Sequence, residues 1–255
     1  MQITFLGTGT SCGVPVIGCQ CEVCRSHDPH DRRLRCSILV ETSQTRLLVD
    51  IGPDFREQML SVPFRRIDGI LITHSHYDHV GGMDDIRPYC QFGEINVYAD
   101  SIARQGMLDM LPYCFAEHRY PGVPAIGLHE IHAGEPLRFG DIDVLPFRVM
   151  HGKLPILGYR FGRFAYITDM KTIEDDQAEL LKGVEVLVVN ALRFENPHHA
   201  HQLVDDAVAF ARRVGAQRTL LTHMCHDIGL HEEVSRKLPE SVELAFDGQK
   251  IEVFG

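Results

Sequence analysis

Nine short apolar runs bounded by turn residues punctuate the chain: MQITFLG (1–7), SILVET (37–42), TRLLVDI (45–51), IDGILIT (67–73), INVYA (95–99), IDVLPFRV (142–149), FAYITD (164–169), VEVLVVN (184–190) and RTLLT (218–222). Their length and their content of Val, Ile, Leu, Phe and Tyr predict strands. Between the later runs, Leu203, Val204, Ala207, Val208 and Ala211 recur at intervals of three and four and Gly215 follows as a stop, which predicts a helix over 201–214. Residues 174–182 and 101–111 are shorter helical candidates. Strands joined first by short turns and later by helices predict a sheet-rich α/β sandwich. No linker, low-complexity stretch or repeat divides the 255 residues, so one domain over 1–255 is predicted.

Composition narrows the function. A hydrophobic fraction of 44% with 24% charge suits a soluble globular enzyme. No apolar run approaches the roughly 18–20 residues needed to span a bilayer, so no membrane partner is predicted. The opening MQITFLGTGT lacks a positive region before its apolar stretch and reads as a first strand, which places the chain in the cytoplasm. A net charge of -10 argues against a broad nucleic-acid surface. The densest basic stretch, Arg32, Arg33 and Arg35, is open to two readings, a solvated loop or a phosphate contact. GTGTSCG (7–13) follows a strand, but Cys12 stands where the third glycine of a dinucleotide-binding turn should fall. NAD is therefore excluded there, and the turn is expected to bring loop backbone close to a site.

The strongest chemical signal is THSHYDHVGG (73–82), directly after the apolar run IDGILIT. His74, His76, Asp78 and His79 place three imidazoles and a carboxylate within six residues, more than one ion readily takes from so short a segment. Residues 74 and 76 of an extended segment point the same way, whereas 78 and 79 diverge, so the spacing suggests two neighbouring metals. Such donors suit Zn, Mn or Fe. A second cluster, GCQCEVC, places Cys19, Cys21 and Cys24 as CxCxxC. In a chain without an export signal, three thiols so close favour zinc over disulfides. Structural zinc takes four ligands, and the candidates for the fourth are Cys12, Cys36, Cys225 and His226.

His74, His76, Asp78 and His79 match without a gap the HxHxDH motif of the metallo-β-lactamase superfamily, which the chain resembles over nearly its whole length. The resemblance implies a four-layer αββα sandwich. It places Asp50 of TRLLVDIG behind the ligands, and it finds His151 in MHGK, Asp169 in YITDM and His223 in LLTHM in the family's order. By that likeness His74, His76 and His151 hold one metal, Asp78, His79 and His223 hold the other, and Asp169 bridges them. Two such ions activate a shared water and neutralise charge on a phosphoryl oxygen.

Within the superfamily, GTGT with VP nearby, the CxCxxC, the following RR and CS, and the late THxxH resemble the PhnP group, phosphoribosyl cyclic phosphodiesterases of phosphonate breakdown. That likeness implies a zinc-binding loop at about 12–36, with Cys19, Cys21, Cys24 and His226 on one structural zinc and Cys225 as the rival fourth ligand. It also implies a general acid at His201, opening the helix, with His198 and His199 as substitutes. The activity implied is hydrolysis of a small cyclic phosphodiester of a phosphorylated sugar or nucleotide, such as 5-phosphoribosyl 1,2-cyclic phosphate. The alternatives are a tRNA 3′-end processing endonuclease, whose basic loop and tRNA-gripping arm are not evident, and a thioester or lactone hydrolase. A zinc-stabilised scaffold is the non-enzymatic reading. Superfamily members are often dimers, so a homodimer is an expectation, and residues 84–136 are expected to cover the site.

Overall fold

In the computed structural model, which describes residues 1–116, 118 and 120–254, each of the nine apolar runs contains a strand. The first sheet is built from β1 (Gln2–Gly7), β2 (Ser37–Glu41), β3 (Arg46–Val49), β4 (Gly69–Leu71), β5 (Ile95–Ala99) and β6 (Ile126–Glu130). The second holds β7 (Leu137–Phe139), β8 (Ile142–His151), β9 (Leu154–Phe161), β10 (Phe164–Ile167), β11 (Val186–Asn190), β12 (Arg218–Thr222) and β13 (Val242–Leu244). The last strand, β14 (Lys250–Glu252), returns to the first sheet beside β1. Strand orders are β14-β1-β2-β3-β4-β5-β6 and β13-β12-β11-β10-β9-β8-β7. In both sheets four neighbouring strands pair antiparallel and the remaining three continue in parallel.

Alternation along the strands sorts side chains between layers. Leu47 and Val49 of β3 face the second sheet, meeting a core that includes Leu157, Tyr159, Phe164, Tyr166, Val188 and Leu220. Leu48, between them, faces outward onto Phe55, Met83, Ala103 and Met107. On the far side, Leu187 and Val189 of β11 pack against Val204, Ala207, Val208 and Ala211 of the helix Val204–Val214. Three apolar layers therefore separate helices, sheet, sheet and helices, which is the four-layer αββα sandwich.

Sequence patterning passes over several elements for physical reasons. β7, β13 and β14 are three residues each, too short for a period to register. β9 carries Pro155 and Gly158, residues that ordinarily argue against a strand interior. Gly158 sits opposite Phe147 of β8, and a Cβ there would lie 2.5 Å from the Phe147 ring, which occupies the glycine's empty face. Residues 84–136, expected over the site, contribute to the first sheet and its outer layer. β5 and β6 extend the first sheet, and the helix Ser101–Met110 packs on its outer face through Ala103 and Met107. Among the described residues, no helix is long and apolar enough to cross a membrane.

Candidate metal centre

The site forms at the carboxyl ends of strands from both sheets, where chains leave the hydrogen-bonded ladder and can aim side chains. β3 delivers Asp50, β4 runs into the 74–79 segment, β8 ends on His151, β10 precedes Asp169 and β12 precedes His223. Asp50, Asp169 and His223 have positive φ of 61°, 56° and 57°, left-handed backbone that non-glycine residues seldom adopt. The strands thus end in sharp, conformationally costly turns where the functional side chains stand. The helix Tyr77–Val80 starts just after His76, so Asp78 and His79 diverge from the preceding pair on its single turn.

Two donor groups result. His74, His76 and His151 form one, with His74 Nε2 and His76 Nδ1 3.0 Å apart. Asp78, His79, Asp169 and His223 form the other, all four buried. Asp169 presents Oδ2 to His79 Nε2 at 3.2 Å and Oδ1 to His223 Nε2 at 3.1 Å, and it also groups with His151 and His201. It therefore lies between His79 and His223 on one side and His151 and His201 on the other.

Hydrogen bonds from behind fix which nitrogen faces inward. His79 Nδ1 donates to Asp50 Oδ2 at 2.7 Å, and His151 Nδ1 donates to the Ala200 carbonyl at 3.0 Å. The Thr73 hydroxyl donates to Asp50 and accepts from His74 Nδ1 at 3.0 Å. His74, His79 and His151 are left with Nε2 lone pairs aimed at the centre. Thr73 and Ala200 are functional supports that residue type alone did not mark.

Such an arrangement is unfavourable for protein alone. The His79 Nε2 and both ring nitrogens of His223 are buried without a hydrogen-bond partner. With its proton on Nδ1, His79 turns a lone pair towards the carboxylates of Asp78 and Asp169 at 3.3 and 3.2 Å. A cation between them removes the conflict, so the residues fit metal ions. Burial, and for His74 also the neighbouring His79, pushes the His74 and His76 imidazoles towards the neutral form that coordinates metal. Burial opposes ionisation of Asp78 and Asp169, but positive charge on the facing His79 and His223 rings, in place of an ion, holds both below the usual carboxylate range.

The thiol cluster is a separate pocket of donors. Cys19, Cys21, Cys24 and His226 converge, with the His226 Nδ1 3.4 Å from Cys19 Sγ and 3.3 Å from Cys21 Sγ. Zn–S of about 2.3 Å and Zn–N of about 2.0 Å in a tetrahedron place such atoms about 3.5 Å apart, so this set fits zinc. The rival fourth donors are elsewhere: Cys225 and Cys12 are outside the cluster, and Cys36 pairs with Thr222 Oγ1 at 3.3 Å.

His201 is buried beside Asp169 and His223, its Nδ1 3.7 Å from Asp169 Oδ1. Of its possible substitutes, His198 stacks behind it with ring centroids 4.7 Å apart, and His199 is exposed. The expectation that His201 opens the helix is corrected: the helix begins at Val204, and His201 belongs to the loop before it. That loop is held in place because the Gln202 N–H bonds to the Met170 carbonyl and Lys171 Nζ bonds to the His201 carbonyl.

The two sheets converge on a cluster of imidazoles and carboxylates able to hold metal ions, and a family model described as a beta-lactamase superfamily domain matches residues 45–224. The chain belongs to that superfamily. Within it, the chain belongs to the PhnP-like group: it is 40% identical to the protein in the crystal structure of a new diphosphatase from the PhnP family, with a TM-score of 0.90. That likeness covers 98% of this chain and 96% of the other. An octanoyltransferase of Porphyromonas gingivalis is 42% identical over 249 residues, 97% of this chain and 51% of that protein. Exodeoxyribonuclease YycJ of Bacillus anthracis is 29% identical over 178 residues, 65% of this chain and 60% of that protein. The chain thus corresponds to little more than half the length of these two curated relatives.

Proposed function

We propose that this metal-dependent hydrolase is a phosphodiesterase acting on a small, cyclic phosphodiester of a phosphorylated sugar or nucleotide, with 5-phosphoribosyl 1,2-cyclic phosphate as its reference substrate. The observation that carries the reading is Asp169, which lies between His79 and His223 on one side and His151 and the buried His201 on the other. In this reading His74, His76 and His151 hold one divalent ion, Asp78, His79 and His223 hold the other, and Asp169 spans both. Zn, Mn or Fe in these places supplies Lewis acidity towards a phosphoryl oxygen and activates water for attack. Asp78, besides binding, orients the buried cluster through its contacts with His79 and His223 at 3.3 and 3.6 Å.

His201 supplies the proton that the departing sugar oxygen needs as its bond to phosphorus breaks. Burial, with the neighbouring His223, lowers its imidazole to about 3, so it is neutral in the free site. An anionic phosphate beside it favours the imidazolium, so substrate binding would draw a proton from solvent onto His201 before the bond to phosphorus breaks. The likeness to a PhnP-family diphosphatase supports chemistry at phosphorus. The net charge of -10 supports a small substrate over a polynucleotide, and the free cysteines support a reducing, cytoplasmic location.

The test is turnover by metal-loaded protein of ribose 1,2-cyclic phosphate esters, a tRNA precursor, and thioester and lactone substrates. Preferential hydrolysis of the cyclic phosphates supports the proposal. Correct tRNA 3′ cleavage, or faster thioester or lactone hydrolysis, would replace it with the corresponding alternative.

A further inference from the structure

β9 turns its alternate residues Leu157, Tyr159 and Phe161 towards the first sheet, and all three are buried in the core between the sheets. Two of them are apolar, and a phenylalanine would fill the space of the third equally well. What Tyr159 adds is a hydroxyl with no access to solvent, and it donates to the Ile72 carbonyl at 2.6 Å. Ile72 follows β4 directly and stands two residues before His74.

The first sheet leaves that carbonyl open. β4 ends at Leu71 and β5 at Ala99, and among the described residues no backbone N–H bonds to the Ile72 carbonyl. The second sheet supplies the donors instead. Pairing of β9 with β10 stops at Tyr159 and Tyr166, and beyond it the Leu157 N–H bonds to the Thr73 carbonyl at 3.0 Å. Two successive carbonyls are thus held by one facing strand, at the point where the chain leaves β4 for the ligand segment 74–79.

The peptide between Ile72 and Thr73 carries the effect onward. It is planar, so fixing its carbonyl fixes the direction of its N–H. That N–H donates to Asp50 Oδ1 at 2.8 Å, and Asp50 Oδ2 accepts from His79 Nδ1 at 2.7 Å. The Thr73 hydroxyl bonds to Asp50 and accepts from His74 Nδ1. Tyr159, the peptide, Asp50 and His79 therefore form one line of hydrogen bonds, buried along its length. A donor at the carbonyl polarises the peptide and strengthens its N–H as a donor in turn.

We propose that Tyr159 is a positioning residue for the metal centre, acting through the Ile72–Thr73 peptide on Asp50 and so on the imidazoles of His79 and His74. Its hydroxyl is engaged by Ile72, so it acts through Asp50 and not as a ligand. The assignment rests on the reading of those imidazoles as ligands, and it extends their support to a residue of the opposite sheet.

The experiment measures Zn and Mn affinity by chelator competition for wild type, Tyr159→Phe, Asp50→Asn and the double variant, with cobalt spectra to follow the thiolate site separately. Tyr159→Phe should weaken binding at the imidazole and carboxylate centre at least about threefold, short of the roughly 10–100-fold for a direct partner, and leave the thiolate site unchanged. In the Asp50→Asn background the same substitution should change affinity less than about twofold, because the carboxylate that orients His79 is gone. Urea midpoints with and without ions read the same linkage: ions should raise the midpoint less in Tyr159→Phe than in wild type. A hydroxyl that only stabilises the core would lower both midpoints alike. Unchanged ion affinity in Tyr159→Phe, or an equal loss in both backgrounds, would overturn the assignment while leaving the metal centre in place. Wild-type protein that binds no ion beyond the thiolate zinc would remove the metal-centre reading and the assignment with it.

Discussion

His79 donates its Nδ1 proton to Asp50 across 2.7 Å, and neither side chain is reached by solvent. Asp50 in turn accepts from the N–H and hydroxyl of Thr73, whose oxygen accepts from His74. One carboxylate therefore sets the direction of imidazoles in both donor groups. Its left-handed backbone, φ 61°, is one that asparagine tolerates. Asp50→Asn should fold and yet bind Zn or Mn about 10–100-fold more weakly, the range for loss of a ligand-orienting partner. Chelator-competition titrations measure this, and unchanged affinity would show that Asp50 serves packing alone.

The two histidines of THMCH separate the two kinds of metal site. His223 lies in the buried carboxylate cluster and His226 in the thiol cluster. His223→Ala should lose an ion from the carboxylate cluster while keeping the thiolate zinc, and His226→Ala should loosen the thiolate zinc first. Metal stoichiometry by mass spectrometry, with cobalt substitution to report thiolate coordination, distinguishes them. Loss of both metals together from His223→Ala would contradict the separation.

Gly52 leaves room for the Asp78 carbonyl, which would stand 2.2 Å from a Cβ. A contact that close to backbone cannot be relieved by a side-chain rotation. Gly52→Ala should cost at least about 1–3 kcal/mol of stability and lower metal content, because the helix carrying Asp78 and His79 must shift. Denaturant unfolding and metal analysis check both, and a variant with wild-type stability and metal content would show that the helix yields freely.

His201 is close enough to His151 and Asp169 to be either a ligand or a proton donor. As proton donor, its replacement in His201→Ala should leave metal content intact and reduce turnover about 10²–10⁴-fold for substrates with poor leaving groups, with a smaller loss for nitrophenyl esters. Metal content falling in step with activity would assign His201 to coordination.

Asp247, far along the chain, accepts from Thr8 Oγ1 and Leu34 N–H, and burial pushes its carboxyl up to about 6. An unfolded Asp titrates near about 3.9. Between these values the folded protein holds a proton that the unfolded chain releases, so this group adds stability as pH falls from about 6 towards about 4, and removes it as pH rises. The stability of wild type relative to Asp247→Asn should therefore improve on going from about pH 7.5 to about pH 5 in urea unfolding. A difference that does not change with pH would rule out this linkage.

The parts of the fold written in local chemistry were legible from sequence: all nine apolar runs contain strands, and the four residues of HxHxDH divide two and two between the donor groups. The isolated candidates His151, Asp169 and His223 carried no spacing of their own, and only resemblance placed them. What makes them converge is long-range: β8, β10 and β12 lie in one sheet facing the first, with ends turned by left-handed residues. Asp169 and His223 gave no sign of their strained backbone, because neither is the glycine such a turn usually takes. His201 was legible as a residue while its element was not: Leu203, at which the apolar period begins, is the residue that caps the helix rather than part of its first turn. The Arg32–Arg35 run could not be read either way, since its members differ only in depth, which the sequence does not record.

Two sheets with the same succession of antiparallel and parallel neighbours face one another, and each donor group draws from both. His74 and His76 come from the first sheet and His151 from the second, while Asp78 and His79 meet Asp169 and His223 across the same seam. Severed at the connection between β6 and β7, neither portion of the chain would own a complete coordination set. Ions held across this seam would join the two halves of the sandwich.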